Sequence, residues 1–193
     1  MTDALKDYYE KGTYTSEMDN LFNGFEAHLA KVIPQGGFPA DSKKAVVFDL
    51  DETLLDNYQM LKSVDFRSDV APWNDAANAG NTPAIPRTLA FLRWLLARNV
   101  KIFFITGRRD TVITGTEQNL QFIGLLPTDY VQLVTRSPDE YTMPAAAYKA
   151  KHRGQIVQNG YDIIGCIGDQ FSDCAGGDAG YIMKLPNYMY FIA

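Results

Sequence analysis

Residues that build metal–sulfur and disulfide scaffolds are scarce: the chain of 193 residues has two cysteines and two histidines. Cys166 and Cys174 cannot form a disulfide framework, and no CxxC pair or His-rich cluster offers a zinc site. Both thiols read as buried and inert. His28 and His152 fall on predicted helices, as surface or packing residues, so a phosphohistidine mechanism has no candidate. Basic runs are also missing. At a formal charge of −5, with no Arg-rich face to follow a phosphate backbone, no nucleic-acid polymer is expected as a partner. The most apolar stretch, FLRWLLARNVKIFFI, is cut by Arg93, Arg98 and Lys101, which excludes a membrane span. The opening MTDALKDYYEKG is acidic and aromatic, unlike a signal peptide.

What remains is the balance of a soluble globular protein, 46% hydrophobic and 21% charged, long enough for one well-buried core and a small appendage. Residues 3 to 33 carry apolar side chains at helical spacing, broken at Gly12 and ended by Pro34-Gln-Gly-Gly. AVVFDL reads as a central strand. Residues 54 to 86 look irregular, an insertion or lid rather than core. From residue 87 the pattern is regular: helix RTLAFLRWLLARN, strand VKIFFI, helix DTVITGTEQNLQFIG, strand YVQLV, a helix within PAAAYKAKHRGQIVQNG, strand YDIIGCIG and a last strand around YIMKL. Such alternation predicts an α/β fold, a parallel sheet with helices on both faces. The expectation is a single domain over 1–193, with an N-terminal helical segment about 1–36 and a cap insertion about 55–86.

AVVFDLDETLLDN then poses a problem, because a buried-type strand runs directly into Asp49 and Asp51. Unpaired buried carboxylates cost several kcal/mol or more. Parallel sheets gather ligands at the carboxyl ends of their strands, and the polar residues fall there: Asp49 and Asp51 after one strand, Thr106 and Gly107 after the next, Asp169 and Asp173 after a later one. Lys149 lies on the helix before that strand. Close carboxylates repel unless a cation joins them, and oxygen ligands without His or Cys select Mg²⁺. Asp49 and Asp169 are the direct ligands on this reading, with Asp173 supporting the site or a bound water. GDQFSD is also a pattern that caps a helix. An aspartate can attack phosphorus; Asp49 is the candidate nucleophile and Asp51 the candidate general acid and base. Thr106, the Gly107 N–H and Lys149 would stabilise the transferring phosphoryl group. Arg108 either orients a carboxylate or sits exposed on its turn.

On these residues the chain resembles the haloacid dehalogenase superfamily. DLDET, ITGR, Lys149 and GDQFSD match its four motifs in order. The closer likeness is to class B/class C acid phosphatases, including plant acid phosphatases and vegetative storage proteins, through YYEKGTY, DLDETLLDN, YKAKHRGQIVQNGYDIIGCIGDQFSD and KLPNYMYFIA. The resemblance implies a Rossmann-like core, a Mg²⁺ ion held in part by the Asp51 backbone carbonyl, an aspartyl-phosphate and small phosphomonoester substrates, nucleoside monophosphates among them. Gly107, where many bacterial relatives carry Asn, sets the chain nearer the plant-like branch. The relatives are exported, so a periplasmic or secreted chain trimmed of its leader is expected, with a cytoplasmic homologue as the fallback. Tyr58, Phe66 and Trp73 are candidate leaving-group contacts, or else pack the lid on the core. A dehalogenase would have little use for Asp51. A storage or binding protein on the same fold and a phosphotransferase are the alternatives, and a homo-oligomer is left open.

Overall fold

The computed structural model describes residues 2–67 and 70–192. Met1, Ala193 and, within the expected insertion, Ser68 and Asp69 lie outside the described residues. Helices α1 (Thr2–Glu10) and α2 (Thr13–Leu29) meet at Gly12, whose φ of 89° is a left-handed conformation that glycine adopts without strain. Helix α2 buries Met18, Phe22, Phe25 and Leu29, a single stripe at helical spacing.

Five strands then form one parallel sheet in the order β3-β2-β1-β4-β5: β1 (Lys44–Phe48), β2 (Lys101–Arg109), β3 (Gln132–Arg136), β4 (Asp162–Gly168) and β5 (Tyr181–Lys184). Period-two alternation divides the side chains between two cores. Val46, Phe48, Ile102 and Phe104 face α2 and α5 (Pro86–Leu96), whereas Ala45, Val47, Phe103 and Ile105 face α7 (Ala145–Gln158). On β4 the alternation slips. The register jumps between the Ala45–Ile163 and Val46–Gly165 pairs, and this irregularity lets Ile163 and Cys166 share a face although three positions separate them. Because β1 lies between β2 and β4, the chain winds outward on both sides of it, and the crevice at its carboxyl end is the switch point where such sheets bind ligands.

The segment expected to be irregular is largely helical: α3 (Tyr58–Ser63) and α4 (Val70–Ala79). Its root belongs to the core, since Leu54 and Leu55 are fully buried and Leu55 bridges Ala84. Polar and small residues masked this in the sequence, because α4 docks by close approach and not through a wide apolar stripe. A Cβ on Gly115 of α6 (Ile113–Phe122) would overlap the Ala77 carbonyl, and one on Gly80 would lie 2.9 Å from the Gly115 carbonyl. The buried Asn119 amide clasps Thr82, donating to its carbonyl at 2.7 Å and accepting its N–H at 3.3 Å. Among the described residues, no helix is long and apolar enough to cross a membrane.

Candidate active site

Asp49 continues the β1 ladder by one bond, its N–H donating to the Ile167 carbonyl at 3.0 Å. The chain then turns sharply. The Leu50 carbonyl accepts N–H groups from Thr53, Leu54 and Leu55, and Glu52 takes the left-handed φ of 55°. A non-glycine residue there is uncommon and is tolerated where its surroundings fix it. The Glu52 carboxylate accepts the Asn57 N–H at 3.0 Å and the Tyr190 hydroxyl proton. The result of the turn is that Thr53 comes back beneath Asp49. Its hydroxyl lies 3.3 Å from Asp49 Oδ2 and 3.2 Å from Asp169 Oδ1, and accepts the Asp169 N–H at 3.0 Å.

Carboxylate oxygens of Asp49, Asp169 and Asp173 all lie within 4.8 Å of one another, each residue buried. Lys149 answers part of that charge. Its Nζ is 2.5 Å from Asp49 Oδ1 and 2.9 Å from Asp173 Oδ1, and it also donates to the Ile105 carbonyl. At 4% exposure this is no surface lysine. One ammonium against three carboxylates leaves two formal negative charges in a buried oxygen-lined pocket, which is the donor set and the charge that fit a divalent cation of the hard type. Asp169 is further held by amide groups of Gln170 (2.6 Å) and Asn187 (2.7 Å). Asp173 caps α8 (Phe171–Cys174) through a reciprocal box with Gln170, so it serves the short helix and the cluster together. Only glycine fits at 168, where a Cβ would overlap the Asp173 side chain.

Asp51 also lines the cleft, but its carboxylate lies outside the three-acid group. Arg108 grips it through two bonds, Nη2 to Oδ1 at 2.7 Å and Nε to Oδ2 at 2.9 Å, and Asn57 adds a third at 2.9 Å. The Asp51 carboxylate is thereby committed to Arg108 and Asn57. Arg108 is only 7% exposed at its side chain, which resolves its two sequence readings toward orienting a carboxylate. Thr106 is fully buried, and Gly107 lines the cleft.

Protonation follows from these neighbours. Burial raises Asp49 well above the carboxylate range, Asp173 and Asp169 push the same way, and Lys149 only partly offsets them. Burial would raise Asp51 too, but the Arg108 charge and hydrogen bonds outweigh it and hold that carboxyl below its ordinary value. Burial lifts Asp169 to about 6, with Asp173 adding to the rise and Asn187 and Gln170 opposing it. For Lys149, burial is outweighed by Asp173 and Asp49, which keep the ammonium charged.

The remaining candidates divide. Phe66 and Trp73 line the cleft of about 550 Å³. Tyr58 does not, a correction to the expectation: its ring stacks on Tyr9 at 5.0 Å and its hydroxyl donates to Glu10 at 2.7 Å, so it fastens α1 to α3. His28 stacks on Tyr181, and His152 bonds Glu140. Several residues at the site had no assigned role in the sequence reading: the Thr53 hydroxyl, Glu52, Asn57, Gln170, Asn187, Tyr190 and Arg153. Arg153 is fully buried and donates to the carbonyls of Asp173, Ala175 and Gly177, so it secures the turn beyond α8. A signal was present for it, an arginine one helical turn beyond Lys149 on the same stripe.

The family described as HAD superfamily, subfamily IIIB (acid phosphatase) matches residues 1–193. Acid phosphatase 1 of Solanum lycopersicum is 31% identical over 196 aligned positions, covering 98% of this chain and 74% of that protein. Vegetative storage protein 1 of Arabidopsis thaliana is 30% identical over 156 positions, 79% of this chain and 57% of that protein. Among solved structures, the class C acid phosphatase from Bacillus anthracis with tungstate bound superposes with a TM-score of 0.74 at 24% identity, over 96% of this chain and 83% of that one, a likeness of fold.

Proposed function

The chain belongs to the acid phosphatases of HAD superfamily subfamily IIIB, and from that premise we propose that it is a Mg²⁺-dependent phosphomonoesterase working through an aspartyl-phosphate on Asp49. The observation that carries this reading is the buried group of Asp49, Asp169 and Asp173 at the end of the central strand, with Lys149 bridging Asp49 and Asp173. Asp49, Asp169 and the Asp51 carbonyl would hold the ion, supported by Asp173. When bound, the ion supplies electrostatic stabilisation of the phosphoryl oxygens and offsets the repulsion between ester and nucleophile.

In the first half-reaction an Asp49 oxygen bonds to phosphorus as the ester P–O bond breaks, and the leaving oxygen takes a proton from Asp51. In the second, water attacks the same phosphorus, its proton goes to Asp51, and the Asp49 carboxylate is released with phosphate. Thr106, the Gly107 N–H and Lys149 stabilise the transferring group. The Arg108 clamp favours ionised Asp51, the form needed for the base half of the cycle. The acid half needs a proton that the clamp does not retain; a monoanionic ester, the form that prevails below its second pKa near 6, carries one and passes it to Asp51 on binding. That couples turnover to acidic conditions. Phe66 and Trp73 give the leaving group an aromatic wall, which suits small aromatic esters and nucleoside monophosphates.

A panel of phosphomonoesters with Mg²⁺ and with EDTA, run beside Asp49→Asn, tests the reading. Mg²⁺-dependent phosphate release that disappears in the variant supports it. Absence of turnover across a broad pH range would instead favour a storage or binding role. Phosphate appearing on an added alcohol would make the protein a phosphotransferase.

A further inference from the structure

The cleft holds charged groups that the proposed chemistry does not use. Once Asp49, Asp51, Asp169, Asp173 and their partners Lys149 and Arg108 are set aside, every other charged residue lining it is an arginine: Arg67, Arg109 and Arg136. In a chain of net charge −5, this local excess is the reverse of the general balance. Arg109 and Arg136 are Cα partners across the parallel β2–β3 ladder. Their side chains therefore leave the sheet on one face from positions about 5 Å apart. Each guanidinium lies over a tyrosine ring, Arg109 over Tyr141 and Arg136 over Tyr148, both 4.3 Å from the centroid. Arg136 is anchored through Nη1 to the Glu140 and Met143 carbonyls at 2.6 and 2.8 Å. Among the described residues, neither arginine has a carboxylate within ion-pair distance, although Glu140 acts on Arg136 from further off, and the Arg109 side chain donates no hydrogen bond to the protein.

Arg109 and Arg136 stand side by side on the sheet, each held by a tyrosine ring, and the neighbouring acids are engaged elsewhere: Asp110 accepts the Tyr141 hydroxyl proton, and Glu140 bonds Lys151 and His152. An anion lying between them pairs with both guanidinium groups, and planar N–H forks suit the oxygens of phosphate or carboxylate. We propose that Arg109 and Arg136 form a second anion subsite, so that the preferred substrates are phosphomonoesters whose leaving group carries a further phosphate or carboxylate. This specificity rests on the phosphatase reading above. The subsite lies on the β2–β3 side of the cleft, and Phe66 and Trp73 contribute the apolar wall.

Matched pairs test it: adenosine 3′,5′-bisphosphate against AMP, and 3-phosphoglycerate against glycerol 3-phosphate. The first pair probes phosphate and the second carboxylate. A charge-assisted bond of ordinary strength predicts that kcat/KM favours the anionic member by roughly tenfold. Arg109→Gln should collapse that ratio toward one, and Arg136→Lys, which keeps a charge but loses the fork, should reduce it in part. A general loss of folding would lower both members alike and leave the ratio standing. Wild-type ratios near one in both pairs, or ratios that survive Arg109→Gln, overturn the subsite. Calorimetric binding of adenosine 3′,5′-bisphosphate in EDTA separates this from failure of the phosphatase reading, because it needs no turnover. Affinity about tenfold weaker in Arg109→Gln sustains the subsite, and equal affinity overturns it.

Discussion

At the scale of single residues, Lys149 decides how the site survives without an ion. It is the only cation bridging Asp49 and Asp173 among the described residues. Removing one partner of a buried pair commonly costs 3–5 kcal/mol, because the other charge stays buried. Lys149→Ala should therefore cost about 3 kcal/mol at pH 8 and less at pH 5, where the orphaned Asp49 carboxylate, already raised by burial, takes up a proton. Turnover should drop on the order of a hundredfold or more. Urea unfolding at the two pH values checks the first part, and equal losses at both would contradict it. Asp169 makes a second expectation. With its carboxyl raised to about 6, protons compete with the metal below that pH, so apparent Mg²⁺ affinity should fall by up to about tenfold per pH unit below 6. Calorimetry in the absence of substrate reads this directly, and a flat affinity between pH 5 and 7 would refute it.

Elements decide where the cleft wall stands. Helix α4 carries Trp73 and rests on α6 through Gly115, where a Cβ would overlap the Ala77 carbonyl. Ala in place of Gly within a helix gains about 1 kcal/mol in propensity. Overpacking typically costs 1–3 kcal/mol, and here it pushes against backbone, which cannot rotate away. Gly115→Ala should thus be destabilising by about 1–2 kcal/mol, and it should raise KM for aromatic esters more than for glycerol phosphate. A stabilised variant would show that α4 yields freely. Nothing in the sequence announced this contact: the periodic strands and helices were legible because their apolar side chains repeat, whereas α4 is Ala- and Asn-rich and docks through a glycine. The structure selects the packing reading of Tyr58 over the leaving-group one, a choice closed to the sequence for a related reason. An aromatic residue in a segment named as a lid suggests a ligand, but its partners Tyr9 and Glu10 lie some fifty positions away, and only the folded chain brings them together.

For the whole molecule, the site is a meeting of segments from the length of the chain. The four motif segments were legible because strand ends converge on one rim. The C-terminal segment was recognised only as a family-like stretch. Its part in the site, Asn187 on Asp169 and Tyr190 on Glu52, depends on a path the sequence does not reveal. Stability of the frame also has a legible pH signature. Burial pushes Glu140 up, but Lys151, the Ser137 N–H and His152 outweigh it and hold the carboxyl at about 2. A depressed carboxylate stabilises the fold above the unfolded value near 4.5, and that contribution is lost as pH falls toward 2. Because Lys151 is partly exposed, screening reduces the effect to on the order of 2 kcal/mol. Glu140→Gln should be less stable than the parent by that amount at pH 7, with the gap closing in acid; a gap independent of pH would rule this out.

Asp49 as the carrier of the phosphoryl group is the step on which every other proposed role depends. The most direct test is to quench the protein in acid during turnover of p-nitrophenyl phosphate with Mg²⁺ and to map the modified peptide by mass spectrometry. The expected result is an acid-stable, hydroxylamine-labile phosphoryl group on Asp49, absent from Asp49→Asn. Undiminished turnover by Asp49→Asn, or a phosphoryl group found on another residue, would contradict it.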